Sequence, residues 1–227
     1  MPLYQLKDKL IFPPAELAGK DGLLAIGGDL SPERLLLAYS SGIFPWFSEG
    51  DPILWWAPSP RLVIFPDEFK IPKRLARLVR QKKFSVTMDT DFRGVIAACA
   101  TSNGRKEKGT WITREMEAAY CLLHDMGYAH SVECWHDGKL AGGLYGISLG
   151  GFFFGESMFS REANSSKIAL VSLVKKLLAW DFDLIDCQMK TPHLIQLGAR
   201  EIPGREFQKL LAKSMARQTQ TGKWHGS

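Results

Sequence analysis

The sequence predicts an α+β fold in two parts, a small N-terminal domain over residues 1–59 and a larger domain over residues 60–227. Three features support this prediction: a first part rich in Pro and Gly, three alternating apolar segments joined by tight turns, and a helix that leads into one last apolar strand. Apolar residues make up 45% of the chain, which is enough to form a sizeable core.

Composition excludes disordered and membrane-spanning classes of protein. No apolar run approaches the roughly 20 residues of a membrane helix, and the first residues do not form a charged-then-apolar leader. The four cysteines are scattered without a C-x-x-C pair, which indicates reduced thiols and a cytoplasmic protein. The formal net charge is only +5, so its distribution along the chain is more informative than its size.

The first part contains one helix with clear end signals. In "DLSPERLLLAYSSG", Ser31 is a helix N-cap, Pro32 occupies the first helical position and Gly42 ends the helix. In the second part, a basic amphipathic helix over residues 71–83 precedes a strand at "FSVTM" and a helix over residues 91–100. A further helix begins after Thr113 as its cap and ends at Gly127.

Three alternating segments then predict an antiparallel meander. They are "AHSVECW", "LAGGLYGIS" and "GFFFGESMF", joined by an Asp-Gly turn and a Gly-Gly turn. The helix "NSSKIALVSLVKKLLAW" leads to a strand from Asp183, which can lie beside "GFFFGE" after this helical crossover. This order of elements resembles the acyltransferase fold of the GNAT N-acetyltransferases, so we expect a GNAT-like second domain that transfers an acyl group.

One feature argues against the ordinary version of that chemistry, a CoA-dependent N-acetyltransferase. Acetyl-CoA enzymes of this fold hold the pyrophosphate on the backbone of a Gly-rich turn between a strand and the following helix. The matching turn here is "ESMFSREANSSK", and no glycine occurs from Glu156 to Leu197. The sequence therefore favours an acyl group that arrives on another carrier.

A run of basic residues predicts a surface that binds phosphates. Residues 70–83 contain seven Lys and Arg residues and no acidic residue, and on a helix the basic side chains share one face. A solvated helix face is the alternative, but the missing acidic partners favour a phosphate backbone. The residues proposed for this contact are Lys73, Arg74, Arg77, Arg80 and Lys83, and Arg105, Lys106 and Lys108 are expected to extend the patch.

Two tryptophans, Trp46 and Trp111, lie beside turn signals rather than inside apolar periodic runs. A nucleic acid that ends in an exposed base needs aromatic side chains to stack on, and stacking is worth about 1–3 kcal/mol per base. The alternative is that both tryptophans pack in the core or at a domain interface.

Several strings occur in one order from about Gly22 to Phe207: "GLLAIGGDLSPERLLLAYSSGIFPWF", "WWAPSPR", "GTWITREM", "GGLYG", "GESMFS" and "LIDCQ". Through this ordered set the chain resembles the leucyl/phenylalanyl-tRNA–protein transferases. The resemblance implies transfer of Leu or Phe from aminoacyl-tRNA to proteins that begin with Arg or Lys, which marks them for degradation by the bacterial N-end rule pathway. It implies no metal, no CoA and no other cofactor, and we expect a cytoplasmic monomer.

The resemblance also implies roles for individual residues. Asp186 and Gln188 match the catalytic pair, and the basic residues at 73–83 match the region that contacts the tRNA body. The positions that match those holding the terminal adenosine are Trp46, Trp111, Tyr39 and Tyr120.

Alternation along the last strand places Asp186 and Gln188 on one face, with Cys187 facing the core. An aminoacyl ester is already activated, so the enzyme needs only to hold an amine against it. We hypothesise that Asp186 accepts a hydrogen bond from the Gln188 side-chain amide, so that the Gln188 carbonyl oxygen orients the amine. The alternatives are a hydrogen bond that only anchors the strand end, and a non-catalytic RNA-binding protein.

Two pockets are needed for selectivity. Glu156 is the candidate that binds an acceptor's Arg or Lys, and the alternative is a plain salt bridge to Arg161. An apolar pocket for the Leu or Phe side chain is expected from Phe153, Met158, Leu170 and Ile185. Because one methylene is worth only about 1–3 kcal/mol, we expect Met to be a poorer donor rather than an excluded one.

Overall fold

The computed structural model describes residues 3–102 and 110–225, which form two β-sheets and the helices that cover them. The predicted α+β class is confirmed. The domain boundary at residues 59 and 60 stays a prediction.

The smaller sheet is formed by the N-terminal part. Its strands are β1 (Tyr4–Leu6), β2 (Leu23–Gly27), β3 (Phe44–Pro45) and β4 (Leu54–Trp56), in the order β1-β2-β4-β3. A 3-10 turn covers Ala15–Leu17, and helix α1 covers Pro32–Ser40. As predicted, α1 begins after Ser31, whose hydroxyl oxygen accepts a hydrogen bond from the Arg34 backbone N–H.

The larger sheet has seven strands among the described residues. They are β5 (Arg61–Ile64), β6 (Ser85–Met88), β7 (Ala129–His136), β8 (Lys139–Leu149), β9 (Phe152–Ser160), β10 (Leu184–Gln188) and β11 (Arg200–Ile202), in the order β11-β5-β10-β9-β8-β7-β6. The predicted antiparallel meander is confirmed as β7, β8 and β9. The last predicted strand, β10, lies parallel to β9 as expected, with Leu184 opposite Phe152. Strand β5, antiparallel to β10, was not predicted.

Helices cover both faces of the larger sheet. They are α2 (Lys73–Arg80), α3 (Phe92–Thr101), α4 (Arg114–Asp125), α5 (Ser165–Ala179), α6 (Pro192–Ile195) and α7 (Gly204–Met215), with a 3-10 turn at Pro66–Glu68. Helix α2 is shorter than predicted at both ends. At its start, Pro72 disfavours the helical conformation of the preceding residue, Ile71. At its end, Lys82 has a positive φ, which is not helical. Asp91 and Thr113 cap α3 and α4 through their side chains. None of the described helices has the length and apolar content that a membrane span requires.

The side chains of β9 alternate between two core clusters. Phe152 and Phe154 belong to the cluster that includes α3, α4 and the N-terminal part, whereas Phe153 belongs to the cluster under α5. The first cluster contains Tyr39 from α1 and Tyr120 from α4, so the N-terminal part shares one core with the larger sheet.

A buried ion pair joins β5 to β10. Arg61 Nε and Nη2 donate to the two carboxylate oxygens of Asp186 at 2.9 and 2.8 Å, and both side chains are almost wholly buried. Arg61 Nη2 also donates to the Gly42 carbonyl oxygen at 3.1 Å. The guanidinium lies 4.8 Å from the ring centres of both Phe44 and Phe207. One arginine therefore contacts the N-terminal part, the larger sheet and α7.

We predict that Arg61→Ala lowers the free energy of unfolding by about 3–5 kcal/mol, because it leaves the Asp186 carboxylate buried and unpaired. The measurement is urea denaturation followed by circular dichroism. Arg93→Ala, which removes an exposed partner of Asp125, is the matched control and should cost less than about 1 kcal/mol.

The double variant Arg61→Met with Asp186→Leu should be more stable than Arg61→Ala, because it buries no unpaired charge. Equal losses in Arg61→Ala and Arg93→Ala would contradict this account of the pair.

Candidate active site

A cavity of about 630 Å³ opens beside β9 and the C-terminal end of β10. Its wall includes residues from both strands, from α5 and α6, and from the segments that carry Trp46 and Trp111. The four residues predicted for an apolar pocket all line it: Phe153, Met158, Leu170 and Ile185. A cavity of this size with a mostly apolar wall and a few polar groups is typical of small-molecule sites.

The two predicted stacking tryptophans line the same cavity. Trp46 is 36% exposed, and its backbone carbonyl oxygen accepts a hydrogen bond from Trp56 Nε1 at 2.7 Å. The Trp46 and Trp56 rings are 5.5 Å apart, so Trp56 supports the Trp46 side chain. Trp46 and Trp111 are therefore accessible to a ligand in the cavity.

Tyr39 and Tyr120 lie in the core and not in the cavity wall, so their predicted contact with a terminal adenosine is wrong. They are 1% and 0% exposed, and neither lines the cavity. The two hydroxyls are hydrogen-bonded to each other, and Tyr120 Oη donates to Glu156 Oε2 at 2.9 Å. Because α1 and α4 pack these rings into the core, no base can stack on them.

The strand alternation expected at Asp186 and Gln188 is also wrong. Asp186 is buried outside the cavity, whereas Cys187 and Gln188 both line it. The pairing register with β5 shifts between Asp186 and Gln188, and Gln188 has a φ of +61°. The cause is local: Asp186 Oδ1 accepts a hydrogen bond from the Gln188 backbone N–H at 2.8 Å, a turn that acidic side chains often make.

Cys187, expected in the core, instead forms part of the cavity wall. Burial, and then the charge of Asp186, hold the pKa of its thiol well above the usual range. A raised pKa favours the protonated thiol, which is a poor nucleophile.

The side-chain amide of Gln188 binds Glu156 and not Asp186. Gln188 Nε2 donates to Glu156 Oε1 at 2.9 Å, so the hypothesis of an Asp186 partner is wrong. A carboxylate only accepts hydrogen bonds, so this contact requires the Gln188 NH2 group to face Glu156. The Gln188 carbonyl oxygen is then left for a group in the cavity.

The Glu156 carboxyl group has a pKa shifted toward neutral pH. Burial is the main reason that the pKa of Glu156 is raised to about 7, although the Tyr39 and Tyr120 hydroxyls act in the opposite direction. The alternative salt bridge to Arg161 is wrong for the described residues, because the Arg161 guanidinium donates to the Leu140 carbonyl oxygen at 3.1 Å instead. Among the described residues, Glu156 is the one carboxylate that lines the cavity.

Arg61 was not singled out from the sequence, although it holds Asp186 in place. Its signal was present: a carboxylate expected at the end of a buried strand needs a cationic partner, and Arg61 ends the string "WWAPSPR". What the sequence did not show is that β5 lies beside β10.

The basic face of α2 is exposed to solvent. Leu75 is buried against the sheet, while the basic side chains of α2 make no ion pair within residues 3–102 and 110–225. Lys83, just after the helix, binds Glu162 at 3.0 Å and is partly neutralised. Arg105, Lys106 and Lys108 lie outside the described residues. The exposed face comprises Lys73, Arg74, Arg77 and Arg80.

The part of the chain that the structure describes contains no cluster of three His, Cys, Asp or Glu side chains that could hold a metal ion.

Known proteins match the chain over almost its whole length. The chain is 57% identical over 224 residues to the leucyl/phenylalanyl-tRNA–protein transferase of Syntrophus aciditrophicus, covering 99% of this chain and 94% of that protein. It is 56% identical over 224 residues to the transferase of the same name from Desulfatibacillum aliphaticivorans, covering 99% and 96%. A solved structure of a GCN5-related N-acetyltransferase-like protein from Streptococcus suis matches with a TM-score of 0.35 and 16% identity, over 71% of this chain and 59% of that one.

Two family models match successive parts of the chain. The model described as the leucyl/phenylalanyl-tRNA protein transferase N-terminal domain matches residues 28–59, and the model described as leucyl/phenylalanyl-tRNA protein transferase matches residues 63–212. The chain belongs to the leucyl/phenylalanyl-tRNA–protein transferase family.

Proposed function

We propose that this aminoacyltransferase moves Leu or Phe, and Met less well, from aminoacyl-tRNA to the N-terminal Arg or Lys of acceptor proteins, and so marks them for the N-end rule pathway. The observation that carries the proposal is the apolar cavity that ends at the Glu156–Gln188 hydrogen bond. The apolar wall suits a Leu or Phe side chain, and the single carboxylate suits a cationic acceptor. A monomer and a cytoplasmic location stay predictions.

The reaction is a direct aminolysis without a covalent enzyme intermediate. The acceptor nitrogen forms a bond to the ester carbonyl carbon, the bond from that carbon to the tRNA oxygen breaks, and the leaving oxygen takes the proton that the amine loses. An α-amine has a pKa of about 7.7–8.0, so a useful fraction is neutral at neutral pH. Holding the two reactants in attack geometry can supply on the order of 7–11 kcal/mol.

Gln188 orients the amine in this proposal. Its carbonyl oxygen accepts a hydrogen bond from the attacking nitrogen, because its NH2 group is bound to Glu156. Asp186 does not touch substrate and acts as a positioning residue, since it is buried and holds the Gln188 backbone N–H. Trp46 and Trp111 are proposed to hold the terminal adenosine. The basic face of α2 is proposed to bind the tRNA body.

Two other functions have less support. A CoA-dependent acetyltransferase needs a phosphate-binding turn, and the turn between β9 and α5 contains no glycine. A non-catalytic RNA-binding protein accounts for the basic face of α2 but leaves the Glu156–Gln188 contact without a role.

Transfer of labelled Phe from Phe-tRNA tests the function directly. We expect label on peptides that begin with Arg or Lys and none on an otherwise identical peptide that begins with Asp, because Glu156 repels a second carboxylate. Acetyl-CoA in place of Phe-tRNA should give no product. Tight tRNA binding without transfer to any peptide would favour the RNA-binding alternative, and equal labelling of the Arg and Asp peptides would remove the role of Glu156.

Gln188→Ala should lower kcat by about 100-fold or more, because the amine loses the acceptor that orients it. The KM for Phe-tRNA should change little, since the cavity wall and α2 are intact. Lys190→Ala is the matched control: this residue is close in sequence, and its exposed side chain binds Glu201 at 2.7 Å. A Gln188→Ala enzyme that folds and keeps the control's kcat would disprove the orienting role.

Replacement of Arg77 and Arg80 by Ala should weaken tRNA binding and reduce its dependence on salt. Each phosphate contact contributes about 0.7–0.9 to the slope of log affinity against log salt, so the slope should fall by about 1.5. Lys209→Ala with Lys213→Ala removes the same charge from α7 and is the control. Equal slopes for both double variants would show that the α2 face is only a solvated surface.

A further inference from the structure

A path of buried hydroxyl groups runs from the N-terminal part to the candidate active site. Tyr39 on α1 and Tyr120 on α4 are joined through their hydroxyls, and Tyr120 Oη lies 2.9 Å from Glu156 Oε2. The second carboxylate oxygen, Glu156 Oε1, accepts from Gln188 Nε2 at 2.9 Å. Four side chains from four different elements thus form one hydrogen-bonded path that ends at the cavity wall.

The donor and acceptor of each hydrogen bond in this path follow from the number of protons that each group carries. A phenol has one O–H proton and a carboxylate has none, so Tyr120 donates to Glu156 and Tyr39 donates to the Tyr120 oxygen. Burial holds the pKa of both phenols well above the usual range. Both tyrosines therefore keep their protons and remain donors at neutral pH.

The protonation state of Glu156 decides which end of the Gln188 amide is available. The carboxylate can only accept, so it binds the NH2 group and leaves the carbonyl oxygen for the cavity. The protonated acid can donate to the Gln188 carbonyl oxygen, and the amide then turns its NH2 group to the cavity. An NH2 group cannot accept a hydrogen bond from an attacking amine.

We propose that Tyr39 and Tyr120 are positioning residues that hold Glu156 as a carboxylate, so that Gln188 presents its carbonyl oxygen to the acceptor amine. This inference rests on the proposed function of Gln188. It gives the N-terminal part a role in catalysis, because Tyr39 belongs to α1.

The groups around Glu156 act in opposite directions. Burial is the main reason that its pKa is raised to about 7, the Tyr39 and Tyr120 hydroxyls lower it, and the charge of Asp186 raises it. Loss of either hydroxyl therefore raises the pKa further and increases the acid form at neutral pH. The titratable groups that face this region from the surrounding elements are Tyr39 (α1), Tyr120 (α4), Tyr145 (β8), Asp186 (β10) with its partner Arg61 (β5), and Lys167 (α5) and His193 (α6) on the cavity wall.

Tyr39→Phe and Tyr120→Phe test the proposal, because each removes one O–H group and keeps the ring that packs in the core. The titration of Glu156 is followed by carbon NMR of protein labelled at the glutamate carboxyl carbons, with the signal assigned by its loss in Glu156→Gln. The pKa of Glu156 should rise by about one unit in each Tyr variant. Tyr128→Phe, which removes a hydroxyl from a partly buried ring elsewhere, is the control and should leave the titration unchanged.

Transfer kinetics provide the second readout. Near neutral pH, kcat with the Arg peptide should fall roughly fivefold in both Tyr variants and recover toward the unmodified enzyme as the pH rises, with KM for Phe-tRNA nearly unchanged. The acceptor amine titrates identically in every variant, so a difference between pH profiles reports on the enzyme.

An unchanged Glu156 titration in both Tyr variants would overturn the proposal. A loss of kcat that is the same at every pH would also overturn it, because that is the result of a structural role. A protein that shows no transfer even before substitution would instead refute the proposed function, and the NMR titration would still decide whether the hydroxyls hold the carboxylate.

Discussion

The buried ion pair between Arg61 and Asp186 is the contact on which the structure around the cavity depends. Neither charge can be buried alone at acceptable cost, so each requires the other in place. The pair aligns β5 with β10, and Arg61 Nη2 also donates to the Gly42 carbonyl oxygen in the N-terminal part. The rings of Phe44 and Phe207 enclose the guanidinium, so one side chain connects three regions that are distant in sequence.

The same carboxylate also shapes the strand end. Because Asp186 accepts from the Gln188 backbone N–H, the regular ladder stops there and the chain turns through a positive φ. Cys187 and Gln188 are thereby brought to the cavity, while Asp186 remains behind them. The buried Asp186 side chain thus takes part in the ion pair with Arg61 and also places the Gln188 amide at the cavity.

The cavity combines an apolar wall with the Glu156 carboxyl group, whose pKa lies close to neutral pH. Burial alone would keep Glu156 protonated, and the hydroxyls of Tyr39 and Tyr120 together with the Gln188 amide offset that effect. Such a site suits aminolysis of an ester that is already activated, because the chemistry needs orientation and a well-placed acceptor rather than a strong nucleophile. The family membership and this geometry therefore support the same class of reaction.

The sequence by itself determined the α+β class, the meander and the helical crossover, because these depend on local periodicity, turn residues and capping. It could not decide the contacts of Tyr39, Tyr120, Asp186 and Gln188. Alternation predicted a shared face for Asp186 and Gln188. The hydrogen bond that the Gln188 backbone N–H donates to the Asp186 side chain breaks this alternation, at the point where the pairing of β10 with β5 shifts its register. The two tyrosines face the core because α1 and α4 pack there, and Arg61 reaches Asp186 across 125 positions of sequence. Contacts of this kind depend on which elements meet in space, and local patterns carry no information about that.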